Sequence, residues 1–209
     1  FDEAGNKINA GNGNGFKMGG TSISGYHTLI NSIAFDNKAK GIDSNSCPDI
    51  QVQNCITFNN GSYNIALYTG AGVSDTDYSA TGVISYRTSN KTQKEQLQPK
   101  VNGVVQTKDA KIWNDTNFYW DGDTQSSKNN SGVTVSDDWF VSLEEPAFGT
   151  IIGRTADGTI DLGDFLKLTD KAAAGIGARN LDTEGEKSDI VTEDTLRDEK
   201  KARLEQGLT

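Results

Sequence analysis

The segment GNGNGFKMGG, residues 11–20, sets one lysine, Lys17, between two clusters of glycine. Glycine-rich turns expose backbone N–H groups to anions, so a phosphate cradle is the first chemistry to test. The spacing excludes it. A Walker-type loop needs about four residues between its glycines and then Gly-Lys-Ser/Thr, whereas Lys17 follows Phe16 and precedes Met18-Gly19-Gly20 with no strand–helix–strand pattern around it. Three aspartates downstream, Asp36, Asp43 and Asp49, raise glycoside hydrolysis, which needs paired carboxylates across the scissile bond. The lone histidine, His27, and the cysteines Cys47 and Cys55 are too few ligands at too loose a spacing for zinc, although a small disulfide loop between the cysteines stays open. Whether Lys17 does proton chemistry or only ends a loop depends on the elements that hold it.

Those elements are read from an internal repeat. NSIAFDNKAKGID, residues 31–43, aligns with NCITFNNGSYNIA, residues 54–66, at an offset of 23 residues, so that Asn31 falls on Asn54, Ile33 on Ile56, Phe35 on Phe58, Asn37 on Asn60 and Ile42 on Ile65. Apolar residues alternate within each copy, and an asparagine stands at each corner. Short strands repeating at this period predict a parallel β-helix, an all-β solenoid with three strands per coil and asparagine ladders that satisfy the backbone groups of the corners. The expected interior is Phe16, Met18, Ile33, Phe35, Ile42, Ile50, Val52, Ile56, Phe58, Ile65 and Leu67. Carried upstream, the register stacks Lys17, Asp43 and Ala66 on one outer face. Only Asp43 among the three aspartates shares that face, which leaves hydrolysis without its second carboxylate. The same register aligns His27 with Ile50, an inward position, so His27 reads as a partly buried structural residue. Loops at 19–25 and 69–79 would wall a groove beside the face, and Tyr68, Arg87 and Lys91 are placed along it by loop position.

The composition bounds the rest. A chain of 209 residues suffices for one domain and a tail; with 34% hydrophobic residues and 23 glycines it must be rich in turns. A net charge of −9 argues against broad nucleic-acid binding, which needs a basic surface, and no apolar run is long enough to span a membrane. The chain opens on Phe1-Asp2-Glu3 without an initiator methionine or a signal peptide, which suggests a processed or truncated chain with earlier coils missing. Beyond residue 80 the repeat loosens into strands and polar excursions. SDDWFVSL (136–143) offers a helix start, and RTADGTIDLGDFLKL (154–168) a turn and an apolar run that could close the open end of the core. The β-helix domain is therefore expected over 1–181, with 182–209 a solvated charged tail, helical from Thr192 to Gln206.

Taken in order, GNGNGFKMGG, His27 and NSIAFDNKAKGIDSNSCPDIQVQNCITFNNGSYNIAL resemble the right-handed parallel β-helix pectate lyases of polysaccharide lyase family 9, with thinner similarity in DDWFVSL and ADGTIDLGDFLKL. The resemblance implies a secreted, extracellular enzyme acting on an acidic polysaccharide such as polygalacturonate or pectate. It implies calcium-assisted β-elimination, in which the proton on C5 is removed and the C4 oxygen leaves. It also implies that Lys17, in the Gly-Phe-Lys-Met-Gly-Gly segment, is the Brønsted base, a role that requires the neutral amine. Asp43, Tyr68, Arg87 and Lys91 are the expected substrate-binding residues. The family's calcium ligands lie mostly upstream, in an Asp-Asp-Gly-Trp-Asp-like stretch that is absent here; SDDWF is downstream and lacks the glycine. The metal ligands are thus unassigned in this chain, and its activity alone is expected to be low. The rival reading is a β-helix that binds polysaccharide or forms an adhesin stalk without a reaction. The glycine clusters around Lys17, which let a chain approach the backbone, favour the enzyme.

Overall fold

The computed structural model describes residues 4, 11–88, 92, 94–120, 126–147, 153–154, 156 and 160–178. Contacts divide the chain into Phe1–Arg179 and Asn180–Thr209. The expected tail and its helix lie outside the described residues.

Three short strands make each coil. The first holds β1 (Phe16–Lys17), β2 (Thr28–Ile30) and β3 (Ile33–Phe35), and the second β4 (Ile42–Asp43), β5 (Gln51–Gln53) and β6 (Ile56–Phe58). The third holds β7 (Ile65–Leu67), β8 (Ser79–Thr81) and β9 (Ile84–Tyr86), and β10 (Gln96–Leu97) begins another. Corresponding strands pair in parallel as three sheets, ordered β1-β4-β7-β10, β2-β5-β8 and β3-β6-β9. The register is that of the repeat, with Ile33 on Ile56 and Phe35 on Phe58, and Phe16 on Ile42. The fourth coil is interrupted by an antiparallel hairpin, β11 (Lys100–Val101) with β12 (Val104–Val105). The coil then resumes: Ala80 N donates to Lys111 O (2.9 Å) and Phe118 N to Val83 O (2.8 Å). A second small hairpin, β13 (Gly153–Arg154) with β14 (Ile160–Asp161), follows.

The corners explain the asparagines. Asn31, Asn54 and Gly82 occupy equivalent positions in successive coils, with φ of 49°, 47° and 67°. These are left-handed conformations that asparagine and glycine tolerate better than other residues. At the corner between the third sheet and the first, side chains bond in a directed line. Asn37 Nδ2 donates to Asn60 Oδ1 (2.8 Å), Asn60 Nδ2 to Asn64 Oδ1 (2.8 Å), and Asn64 Nδ2 to Ser85 Oγ (3.1 Å). Ser85 Oγ in turn donates to Glu95 Oε1.

The core is double, and here the structure corrects the expectation. Ile42, Ile50, Val52, Cys55, Ile65, Leu67, Val83, Leu97 and Tyr119 cluster together, with Phe16 and Met18 packed against them, and fill the solenoid as the repeat predicts. Ile56, Phe58, Ile84 and Tyr86 belong instead to a second cluster with Trp139, Phe140, Phe165 and Leu166, against which Ile33 and Phe35 pack. The third sheet therefore turns its large residues outward, under the segment that follows the coils. The small residues between them, Ala34, Thr57 and Ser85, are buried towards the polar line of the corner. The apolar run of 154–168 does close a core, but this lateral one: the Phe165 ring meets Phe35 at 4.8 Å and Phe58 at 5.9 Å edge-on. SDDWFVSL forms only a single 3-10 turn, Asp137–Trp139, before entering bridges from Phe140 to Leu168 and from Ser142 to Phe165. The cysteines are both free and buried, so no disulfide loop forms.

Two outcomes follow. Phe58→Ala and Phe165→Ala should each destabilise by about 3–5 kcal/mol. Because the rings touch, the double variant should lose less than the sum, and strictly additive urea midpoints would contradict the lateral core. The second concerns Glu95, whose carboxyl is buried although its stem is partly exposed. Burial pushes its pKa up to about 8, only partly offset by Ser85 and by Arg87. Between the ordinary carboxylate range and pH 8 the folded protein thus keeps a proton that the unfolded chain releases, so stability falls as pH rises through that window. Glu95→Gln, which keeps the acceptor for Ser85, should flatten this part of a Tm-against-pH profile; an unchanged slope would count against the assignment.

Candidate active site

Alternation along the first sheet sends Phe16, Ile42, Ile65 and Leu97 into the solenoid and Lys17, Asp43, Ala66 and Gln96 to its outer side. Lys17 pairs with Asp43, Asp43 with Ala66, and Ala66 with Gln96, so these four residues form one column with ladder steps of about 4.8 Å. Lys17 is exposed, and among the described residues no side chain bonds its ammonium. The glycines beside it hold the chain close to the next coil. A Cβ at Gly15 would stand 2.8 Å from Gly41 O, and Gly19, at φ 154°, would drive one to 2.7 Å from Cys47 Sγ.

Asp43 is placed beside Lys17 as expected, but it is buried, at 1% exposed. Its carboxylate accepts from Asn14 Nδ2 (2.6 Å), from Lys40 Nζ (3.0 Å) and from the backbone N–H of Asn45 (2.9 Å). Lys40 also donates to Tyr68 Oη (3.0 Å) and lies 4.3 Å from the centre of that ring. Burial works against the Lys40 ammonium, yet the bonds to Tyr68 and Asp43 outweigh it and its pKa is raised. Asp43, Lys40 and Tyr68 are therefore one ion-paired unit covering the middle of the column. The consequence for Lys17 is electrostatic: the neighbouring carboxylate arrives already paired with a cation and does not act on Lys17 as a lone negative charge.

The other expected site residues fall elsewhere. Arg87 follows β9, in the sheet that does not carry Lys17, where its guanidinium stacks on Trp120 at 3.3 Å and donates to Thr92 O at 3.1 Å. Lys91 lies outside the described residues. His27, expected to point inward like Ile50, is exposed: β2 is the terminal strand of its sheet, and no described coil covers it. Lys40 was missed by the sequence reading, although a signal existed. The register that sets Lys17 on Asp43 also sets Asn14 on Lys40 three residues earlier, next to the column.

Calcium finds no site among these residues. No described group of three or more carboxylate, histidine or cysteine side chains could hold a metal ion. The carboxylate nearest Lys17 has its oxygens engaged by nitrogen donors, and Asp137 and Asp138 of SDDWF are engaged by Tyr86 and by Lys171.

Three parallel sheets wound in successive coils define the class: a parallel β-helix. Comparison with known proteins narrows it. The family description "Pel9A-like, right handed beta helix region" matches residues 1–78, which include β1 to β7 and the loop after β7. Pectate lyase L of Paenibacillus polymyxa (strain SC2) is 35% identical over 81% of this chain and 32% of its own length. Pectate lyase L of Thermoclostridium stercorarium is 31% identical over 64% of this chain and 10% of its own. The crystal structure of pectate lyase Pel9A superposes with a TM-score of 0.50 at 22% identity, covering 88% of this chain and 39% of that one. The fold is thus a parallel β-helix similar to the right-handed β-helix of these pectate lyases, and the chain spans about a third of the length of the Paenibacillus relative.

The ion-paired unit is testable by itself. Lys40→Met should destabilise by about 3 kcal/mol, since it leaves the Asp43 carboxylate buried without its cation. Adding Asp43→Asn should restore most of the loss in urea unfolding, whereas a Lys40→Met protein as stable as wild type would mean that Asp43 is not held by this pair.

Proposed function

We propose that the protein is a polysaccharide lyase that cleaves an acidic, uronate-containing chain such as polygalacturonate by β-elimination, with Lys17 as the base. One observation carries the reading: an exposed lysine without a side-chain partner stands at the end of the outer column, beside a carboxylate that Lys40 already balances. The similarity to proteins named pectate lyase L supports the substrate class.

In the proposed step the neutral Lys17 amine takes the C5 proton, α to the uronate carboxylate. The electron pair of that C–H bond forms the C4–C5 double bond, the C4–O bond breaks, and the departing oxygen takes a proton from solvent. No water is added, and the Lys17 ammonium returns its proton to solvent. The Lys40–Asp43–Tyr68 unit contributes by position, giving the column a rigid floor beside the base. Calcium enters the proposal only as an ion held by ligands other than the described residues. The proposed place of action is outside the cell, where such polymers occur.

The test is made on the protein in its natural length. Lys17→Ala should reduce the rise in ultraviolet absorbance of the unsaturated product on polygalacturonate by roughly 10²–10⁴-fold, the range of a general base. Substrate binding should be nearly intact. Lys17→Arg should fail as well, because arginine keeps its proton at any working pH. Retained turnover in Lys17→Ala would end the assignment and leave the rival reading, a β-helix that binds the polymer without cleaving it.

A further inference from the structure

At the other end of the column the surface opens into a cleft of about 540 Å³, lined by Tyr63, Lys94, Gln96, Gln98, Lys108 and Trp113 among others. Its volume is within the range of ligand sites. Its floor is the outer side of β10, where Gln96 continues the column of Lys17, Asp43 and Ala66. Its far wall is the stretch after the β11–β12 hairpin. Three ladder steps separate Gln96 from Lys17, about 14 Å.

The chemistry of this cleft differs from that of the protein as a whole. In a chain of net charge −9 its exposed charges are two lysines. Lys94 has no side-chain partner among the described residues, and Lys108 Nζ lies over the Trp113 ring, 4.3 Å from its centre. The one acid in the lining, Glu95, directs its carboxyl to Ser85 and is pushed up to about 8 by burial, so at neutral pH it adds little negative charge. Two glutamine amides supply donors and acceptors for hydroxyls. Trp113 adds an independent sign of a missing polar partner: its Nε1–H is buried with no acceptor among the described residues, a costly state that a water or ligand oxygen reaching it would relieve. Ammonium groups, side-chain amides and an aromatic ring together suit an acidic sugar, which carries a carboxylate, hydroxyls and an apolar ring face.

We propose that this cleft is a second binding site for the acidic polysaccharide, about three ladder steps from Lys17, which anchors a chain whose reacting unit lies at the base. The ligand class rests on the proposed function, but the site does not depend on Lys17 being the base. Long chains would reach both places and short ones only one, so the cleft would give the protein a preference for length.

The test uses the full chain with oligogalacturonates of two and of six or more units, by calorimetry at low salt. The wild type should bind the long oligomer more tightly than the short one, and added salt should weaken binding. Lys94→Ala/Lys108→Ala should lower affinity for the long oligomer on the order of tenfold, the scale of lost charge-assisted bonds. Both side chains are exposed, so an unchanged Tm should accompany the loss, and Lys94→Arg/Lys108→Arg should keep most of the binding. The proposal is overturned if the double alanine variant binds the long oligomer like wild type, if length makes no difference, or if the wild type binds neither oligomer. Failure of Lys17 as the base would show separately, as turnover surviving in Lys17→Ala.

Discussion

A directed line of hydrogen bonds, buried along its middle, runs from Asn37 through Asn60, Asn64 and Ser85 to Glu95 and crosses the coils at the corner that leads into the first sheet. Parallel coils leave corner backbone groups without partners in the ladders, and a solenoid cannot bury such groups unpaired. Asn37 and Asn60 stand at the same place in successive turns, and the amides also reach backbone carbonyls: Asn60 donates to Ala34 O, and Asn64 to Tyr86 O. This fixes where each coil turns from the third sheet into the first. The outer column of Lys17, Asp43, Ala66 and Gln96 begins just after that turn, so the position of the candidate base follows from amides buried on the other side of the sheet.

A solenoid of few coils has little interior, and this protein supplements it. The large side chains of the third sheet are covered by Trp139, Phe140 and Phe165 from the segment after the coils, which makes a second apolar layer. The arrangement leaves the inner positions of that sheet to Ala34, Thr57 and Ser85, small enough to make room for the amides and the Glu95 carboxyl. The lateral core and the polar line are thus two sides of one choice: where bulk goes outward, polarity can be accommodated within. The first sheet makes the opposite choice, with bulk inside and its outer side carrying Lys17.

On that outer side the chemistry is divided. The middle of the column is closed by Lys40, Asp43 and Tyr68, whose charges are mutually satisfied, while exposed cations stand at both ends, Lys17 at one and Lys94 with Lys108 at the other. Unpaired ammonium groups spaced along a rigid sheet suit a repeating polyanion better than a compact ligand. On the proposed function, the paired unit between them would let a negatively charged chain pass without meeting a bare carboxylate.

The sequence by itself determined the repeat, the parallel register and the column. Side-chain periodicity is local, and the repeat dictates which residues become neighbours: an offset of 23 residues sets Phe35 on Phe58, and the same pattern carried upstream, where the offset widens to 26, sets Lys17 beside Asp43. Alternation does not say which of two buried faces is the interior. Ile56 and Phe58 read as solenoid core until Phe165, more than a hundred residues later, proved to pack on them. The exposure of His27 was hidden for the same reason, since a position is buried only if something covers it. Asp43 read as an open groove residue: the register sets Asn14 and Lys40 near it, but that their side chains close on its carboxylate is decided by side-chain geometry. The raised pKa of Glu95 arises from its burial at the end of the amide line. Tertiary structure alone decided these features, because each depends on which side chains come to cover a position, whether from a neighbouring coil, as at Asp43, or from a segment outside the repeat, as at Phe58.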